Sequence, residues 1–400
     1  MKRFCSYIII LWSMLLLLAC SRSLVDDVEP DPKPIARRTV IVYMVSDNQP
    51  YLPVPRDTAE MIAGKHLIPE DVNFVIYLDD KNHHPTIYEL SAKGGMKLCR
   101  QYADEYSTTD SLVMLNALRD IQRYFPAQHY GLTLWSHATG WAPERNSTRQ
   151  KTFGKDETPG STPTTKIEME IPVLRDVLAQ LPKFDYIFFD ACFMQCIEVA
   201  YELRNVANWI VGSPAEIPGP GAPYDKIIPA LCNGDAMGIA QGYGDGYPGK
   251  YNNYYYPGVL LSCIDCSKLD DLAQITGQYL KPFYMNHTEP VTQDFQSYCD
   301  ITIGKFTYSF DMRTTMCRLL SPEDYQTWMA AFDQAVPLRY LPETKQWYAQ
   351  HCRYGVIWDP DCYGGVSMFV PMEKYSDYGW NEDFRKTSWY AATGWTETGW

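Results

Sequence analysis

Four short runs in this chain are apolar on both faces: TVIVYMVS at 39–46, VNFVIYL at 72–78, HYGLTLW at 129–135 and FDYIFF at 184–189. A strand with no polar face must be covered on both sides, which is the situation of a parallel sheet held between helices. Helical patterns fall between the runs. Residues 111–125 put Met114, Leu118, Ile121 and Phe125 on one face, behind a capping Asp110 and before a terminating Pro126. A second helix, about 171–181, has Pro172 in its first turn and turns Leu174, Val177, Leu178 and Leu181 inward. A third, about 195–205, carries Cys196, Val199, Ala200 and Leu203 on one stripe. A further strand is expected at 209–213, before the Pro/Gly loop 214–223. Residues 86–90 and 96–101 read as a hairpin around Gly94 and Gly95. This alternation predicts an α/β fold, a mostly parallel sheet with helices on both faces. After about residue 232 the pattern changes. Residues 234–256 read as a Gly- and Tyr-rich loop and 258–264 as a strand, and a helix-rich section begins at 267.

Two of the apolar runs end on reactive side chains. HYGLTLWSHATGW delivers His137, and FDYIFFDACFM delivers Cys192. If these strands are parallel neighbours, an imidazole and a thiol meet at the carboxyl edge of the sheet, where open α/β sheets place ligands. A thiol with a histidine base is sufficient for nucleophilic acyl transfer. Free cysteines are usually core residues, and Cys196 fits that reading because it lies on an apolar stripe. Cys192 does not, since the strand has ended there. A helix starting just beyond it would favour the thiolate. His137 alone reads equally as a solvated turn residue; with Cys192 in register, a functional role is the better reading. Asp190, entering the end of an apolar strand, needs a compensating partner, either a protein cation or a Lys/Arg side chain of a substrate.

The N-terminus reads as a targeting segment. Lys2 and Arg3 precede the apolar stretch 7–18, which is too short to span a membrane comfortably. It ends Leu17-Leu18-Ala19-Cys20, which resembles a bacterial lipobox, with residues 1–19 removed and Cys20 lipidated. Removal takes two cations and no acid, so the net charge moves from −13 to −15. Such acidity excludes a nucleic-acid partner, which would require a basic face. Residues 20–38 read as a tether to the membrane. The expected location is the bacterial cell envelope, periplasmic or on the outer surface. Export permits disulfides, and Cys352 and Cys362 are the most suspect pair. No spacing of Cys or His marks a metal site.

The segments TVIVYMVSDN, LWSHATGW, FDYIFFDACFMQCIEVAYELRN and VGSPAEIPGPGAPYD, with weaker echoes at LLSCIDCSKLDDLA and YGGVSMFVP, resemble the clostripain-like cysteine peptidases (family C11), of the same clan as caspases. The resemblance covers most of 39–400. It implies a caspase-like peptidase domain over 39–266, in which 142–166 is a candidate activation loop. A helix-rich region over 267–400, with a strand at 363–371, would follow.

By this resemblance Cys192 is the nucleophile and His137 the general acid and base. The backbone N–H groups of Cys192 and Ala138 form the oxyanion hole, and Asp190 with Glu216 binds a basic P1 side chain. Self-cleavage would fall at Arg145, Arg149 or Lys151, and Lys155 is a further basic residue of that loop. No cofactor is required; some relatives bind calcium, although no loop here has suitably placed oxygen ligands. The chain departs from the family in having Ala138 where glycine is usual after the histidine, and Pro220 where the resemblance leads one to expect an acid. The resulting expectation is an exported, lipid-anchored cysteine endopeptidase acting on proteins or peptides. Ala138 leaves open a catalytically weak or inactive surface-binding lipoprotein, and the same dyad would also serve an acylhydrolase with a different pocket.

Overall fold

The computed structural model describes residues 31–46, 54–80, 83–103, 107–141, 153–156, 167–251, 253–298, 308–349 and 353–400. The candidate signal sequence and Cys20 lie outside them.

The first apolar run is strand β1 (Ala36–Ser46). It is followed by helix α1 (Val54–Gly64), β2 (Val72–Asp80) and the hairpin β3 (His83–Ser91) and β4 (Gly95–Gln101). Helix α2 (Ser111–Tyr124) begins at Asp110, whose side chain accepts from Leu112 N at 2.9 Å and Val113 N at 3.1 Å. Then come β5 (Ala127–Trp135), a small antiparallel pair β6 (Phe153–Asp156) and β7 (Ile167–Met169), α3 (Ile171–Leu178), β8 (Phe184–Asp190), α4 (Ile197–Leu203) and β9 (Ala207–Gly212). Strands β1, β2, β5, β8 and β9 pair in parallel and form the middle of one nine-stranded sheet. Its edges are antiparallel.

The doubly apolar pattern reflects two cores. Ile41, Tyr43 and Val45 pack on one face of the sheet with residues of α2, α3 and α4. Val40, Val42 and Met44 pack on the other with Met61 of α1. Phe189 and Phe188 divide in the same way. Each such fully buried side chain contributes about 2 kcal/mol, so a one-residue slip of register would exchange these contacts along the whole strand.

The stretch expected as a loop differs. After α5 (Tyr224–Asn233) comes a second helix, α6 (Ala236–Asp245), and only then a hairpin of β10 (Gly249–Tyr251) and β11 (Tyr254–Tyr256). Glycines at 238, 242 and 244 lower helix propensity, which hides α6. Burial of Ile239, Ala240 and Tyr243 in the second core outweighs that cost.

Strand β12 (Leu261–Asp265) and helix α7 (Leu269–Tyr284) lead into the last section: β13 (Ser309–Asp311), α8 (Met312–Leu319), α9 (Pro322–Ala335), β14 (Leu338–Tyr340), β15 (Gln346–Ala349), β16 (Arg353–Val356) and β17 (Ser367–Phe369), with two short helices after it. β14 joins the edge of the main sheet, and Trp328, Trp389, Trp395 and Trp400 share the first core with β1 and β8. Residues on both sides of position 266 therefore build one core.

Cys352 lies outside the described residues. Its suspected partner Cys362 faces Cys317 on α8, with the sulfurs 2.7 Å apart. In an oxidising compartment these two thiols are expected to give up two hydrogens to a disulfide oxidant. Peptide mapping without reductant should then recover the Cys317 and Cys362 peptides joined. Recovery of both as free thiols from exported protein would refute the pairing.

Candidate active site

Strands β5 and β8 are parallel neighbours with Trp135 opposite Asp190. His137 and Cys192 each lie two residues beyond that pair, so both leave the sheet at the same level on adjacent strands. The two loops are tied down separately. Ser136 Oγ donates to Val45 O at 2.9 Å. After the cysteine, Phe193 takes the left-handed conformation (φ 61°), and its N–H bonds Ala215 O at 3.0 Å. That conformation costs about 1 kcal/mol and turns the chain away from the sheet directly after the thiol. Gln195 completes the anchor: its N–H donates to Ser213 O, and Nε2 donates to Ser262 O, each at 3.0 Å. Gly140 (φ 82°) lets the histidine loop pass close by, since a Cβ there would lie 3.0 Å from Phe193 O.

Cys192 is half-buried, and its Sγ accepts from Ile217 N at 3.4 Å. Burial pushes the thiol up to about 12; the Glu216 and Asp190 carboxylates act in the same direction, and the Ile217 N–H opposes them. The expected helix-end effect is absent. Helix α4 begins only at Ile197 with Cys196 as its N-cap, five residues beyond Cys192. The dipole falls off within the first turn, so it does not reach the thiol.

His137 is half-buried, and its carbonyl accepts from Gly154 N at 3.0 Å. Ala138 bridges Phe153 in antiparallel fashion. Ala138 is itself buried, in the same core as Phe153, Phe189 and Ala191. Arg145, Arg149 and Lys151 lie outside the described residues, while Lys155 lies within β6.

Asp190 is 2 % exposed. Its Oδ2 accepts from Tyr224 OH at 3.0 Å and Ala222 N at 3.2 Å. Burial raises its pKa to about 6 against the pull of these donors. A second acid stands beside it. Asp57 of α1 is wholly buried and accepts from Trp135 Nε1 at 2.7 Å. Burial, and next the Asp190 charge, push Asp57 up to about 9. Glu216 stands near the thiol and Tyr348, whose pKa values its charge raises. Tyr348 also packs against Tyr256, with ring centroids 5.3 Å apart, so the Tyr-rich stretch forms an aromatic rim near Cys192. The sequence reading passed over Asp57, although it sits on a helical stripe with Val54, Met61 and Gly64. An acid on such a stripe was the signal available. Among the described residues no group of three or more His, Cys, Asp or Glu side chains could hold a metal ion.

The clostripain family model, peptidase family C11, matches residues 42–400. The chain belongs to the clostripain family. Solved structures agree with this. A secreted C11 cysteine protease from Bacteroides thetaiotaomicron, in complex with an irreversible peptide inhibitor, is 30 % identical with a TM-score of 0.77, and the match covers 90 % of this chain and 99 % of that one. An inactive zymogen C11 protease from Parabacteroides distasonis is 25 % identical with a TM-score of 0.75, at the same coverages. No curated protein matches significantly. This clostripain-family chain is a cysteine peptidase.

Proposed function

We propose that the protein is an exported, lipid-anchored endopeptidase that cleaves after arginine or lysine, using Cys192 and His137. The register of β5 and β8 carries this reading, because it sends the two residues off adjacent strands at one level. Cys192 passes its proton to His137, and the thiolate attacks the scissile carbonyl. The Cys192 and Ala138 backbone N–H groups stabilise the oxyanion. His137 protonates the leaving amine, and water hydrolyses the acyl-enzyme. The secreted neighbour and its peptide inhibitor support export and a peptide substrate. The lipobox-like Cys20 supports anchoring.

Purified protein under reducing conditions should hydrolyse fluorogenic peptides ending in Arg or Lys. Failure on a whole peptide library would defeat the proposal. The alternative, an inactive binding shell, draws on the neutral thiol near pKa 12. Under that alternative, Cys192 would react with an iodoacetamide probe no faster than an ordinary cysteine even after the loop has been cut.

The intact chain also fits an unprocessed form. β6 is held to the histidine loop through Gly154 and Ala138. Cleavage at Arg145, Arg149 or Lys151 lies ahead of β6 and would leave buried Phe153 anchored. Mass spectrometry should find two fragments whose new ends fall at Arg145, Arg149 or Lys151, with Cys192→Ala remaining whole. Cleavage that persists in that variant would point to another protease.

A further inference from the structure

Helix α1 covers the second core with Val54, Asp57, Met61 and Gly64. Three of these are apolar or small, and the fourth is a wholly buried carboxylate. A charge there is costly unless something compensates it. Trp135 satisfies Oδ2, but Oδ1 is buried with no hydrogen-bond partner. Asp190 repeats the arrangement: two donors bind Oδ2, and Oδ1 makes no hydrogen bond of good geometry, although the Tyr243 hydroxyl lies near enough to favour the carboxylate. The two side chains flank Gly221. A Cβ on Gly221 would lie 3.1 Å from Asp57 Oδ2 and 3.3 Å from Asp190 Oδ2, and its φ of 69° also favours glycine. Arg56, on the same helix, donates to Glu60 at 2.7 and 2.9 Å. The loop 214–223 contributes Glu216 as its acid, and that residue stands by the thiol.

Two acids thus turn their bonded Oδ2 atoms toward one glycine, and each keeps a second buried oxygen with capacity for a donor. We propose that Asp57 is a second specificity-determining residue, which with Asp190 binds the guanidinium or ammonium of the P1 side chain. This rests on the reading of Asp190 as the pocket acid. The planar fork of arginine has donors for both carboxylates. Trp135 positions Asp57 and, as the sheet partner of Asp190, links the two acids.

The groups facing Asp57 are Asp190, the Glu60 and Arg56 side chains of its own helix, Trp135 and Tyr224. Without a bound cation, burial and the Asp190 charge keep a proton on Asp57 at neutral pH. An arriving cation would expel it.

The test compares wild type with Asp57→Asn on peptides that differ only in P1: arginine, lysine or norleucine. The ratio of kcat/KM for arginine over norleucine should fall roughly 10- to 100-fold, with the loss in KM. An unchanged ratio, or an equal loss on all three peptides through kcat, overturns the proposal. Asparagine can still accept from Trp135, so the fold has its anchor. A second measurement needs no Asp57 variant. Agmatine is titrated into Cys192→Ala protein by calorimetry, in two buffers of different ionisation enthalpy at pH 7. Binding with proton release is expected, and binding without release overturns the proposal. If agmatine binds, and Asp190→Asn abolishes binding while Asp57→Asn leaves it intact, this inference alone fails. If agmatine does not bind, the basic pocket fails with it.

Discussion

Replacing Cys192 by alanine is expected to lower peptide hydrolysis by at least about 10,000-fold. On the proposed mechanism the thiol forms the acyl bond, so the remaining rate would come from binding and oxyanion stabilisation. His137→Ala should lose a similar amount. The double variant should be little worse than either single one, because nucleophile and base act as a unit. Additive losses would mean that the two residues work separately and would undo the dyad assignment. The fold should survive. Cys192 is half-buried, and its loop is fastened through Phe193 N–H and Gln195 rather than through the sulfur. Loss of activity together with loss of the thermal transition would therefore indicate misfolding. The half-buried thiol, whose pKa desolvation raises to about 12, adds a kinetic expectation. Alkylation of Cys192 in the uncut chain should be slow and should accelerate after processing, if cutting the loop alters the thiol's surroundings.

The sheet, and the adjacency of the strands that lead to His137 and Cys192, were readable in the sequence because each strand is apolar on both faces, a pattern that admits few arrangements. Asp110 marked the start of α2 correctly because a side-chain cap is local chemistry. What escaped was decided by tertiary contact. Helix α6 is rich in glycine and forms because Ile239 and Tyr243 find the core. The start of α4 could not be fixed to a residue, and that error carried the helix-end argument for Cys192 with it. Cys317 and Cys362 are 45 positions apart and meet only once α8 has packed. Asp57 was visible as an acid on an apolar stripe, but its pKa depends on Asp190, which stands at the end of strand β8.

Asp190→Asn should remove the preference for basic P1 residues and flatten the dependence of stability on pH. A substrate cation bound to a buried carboxylate loses its partner in this variant. Breaking such a pair costs about 3 to 5 kcal/mol, so kcat/KM for arginine peptides should fall by roughly 160- to 5,000-fold. The stability effect has a definite sign. Burial raises Asp190 from 3.8 to about 6, so the folded state holds its proton more tightly than the unfolded chain. That stabilisation is complete below pH 3.8 and is lost as pH rises through about 6. The loss amounts to about 3 kcal/mol. Asp57, raised to about 9, extends the decline toward alkaline pH. Without the Asp190 charge, one of the forces holding Asp57 up is also gone, so both parts of the decline should shrink. Melting temperatures of the two Cys192→Ala proteins, with and without Asp190→Asn, should therefore diverge between pH 4 and 7, the Asn variant falling less. Parallel curves would mean that Asp190 is ionised at little cost in the folded protein, and the carboxylate floor would then have to be solvated rather than buried.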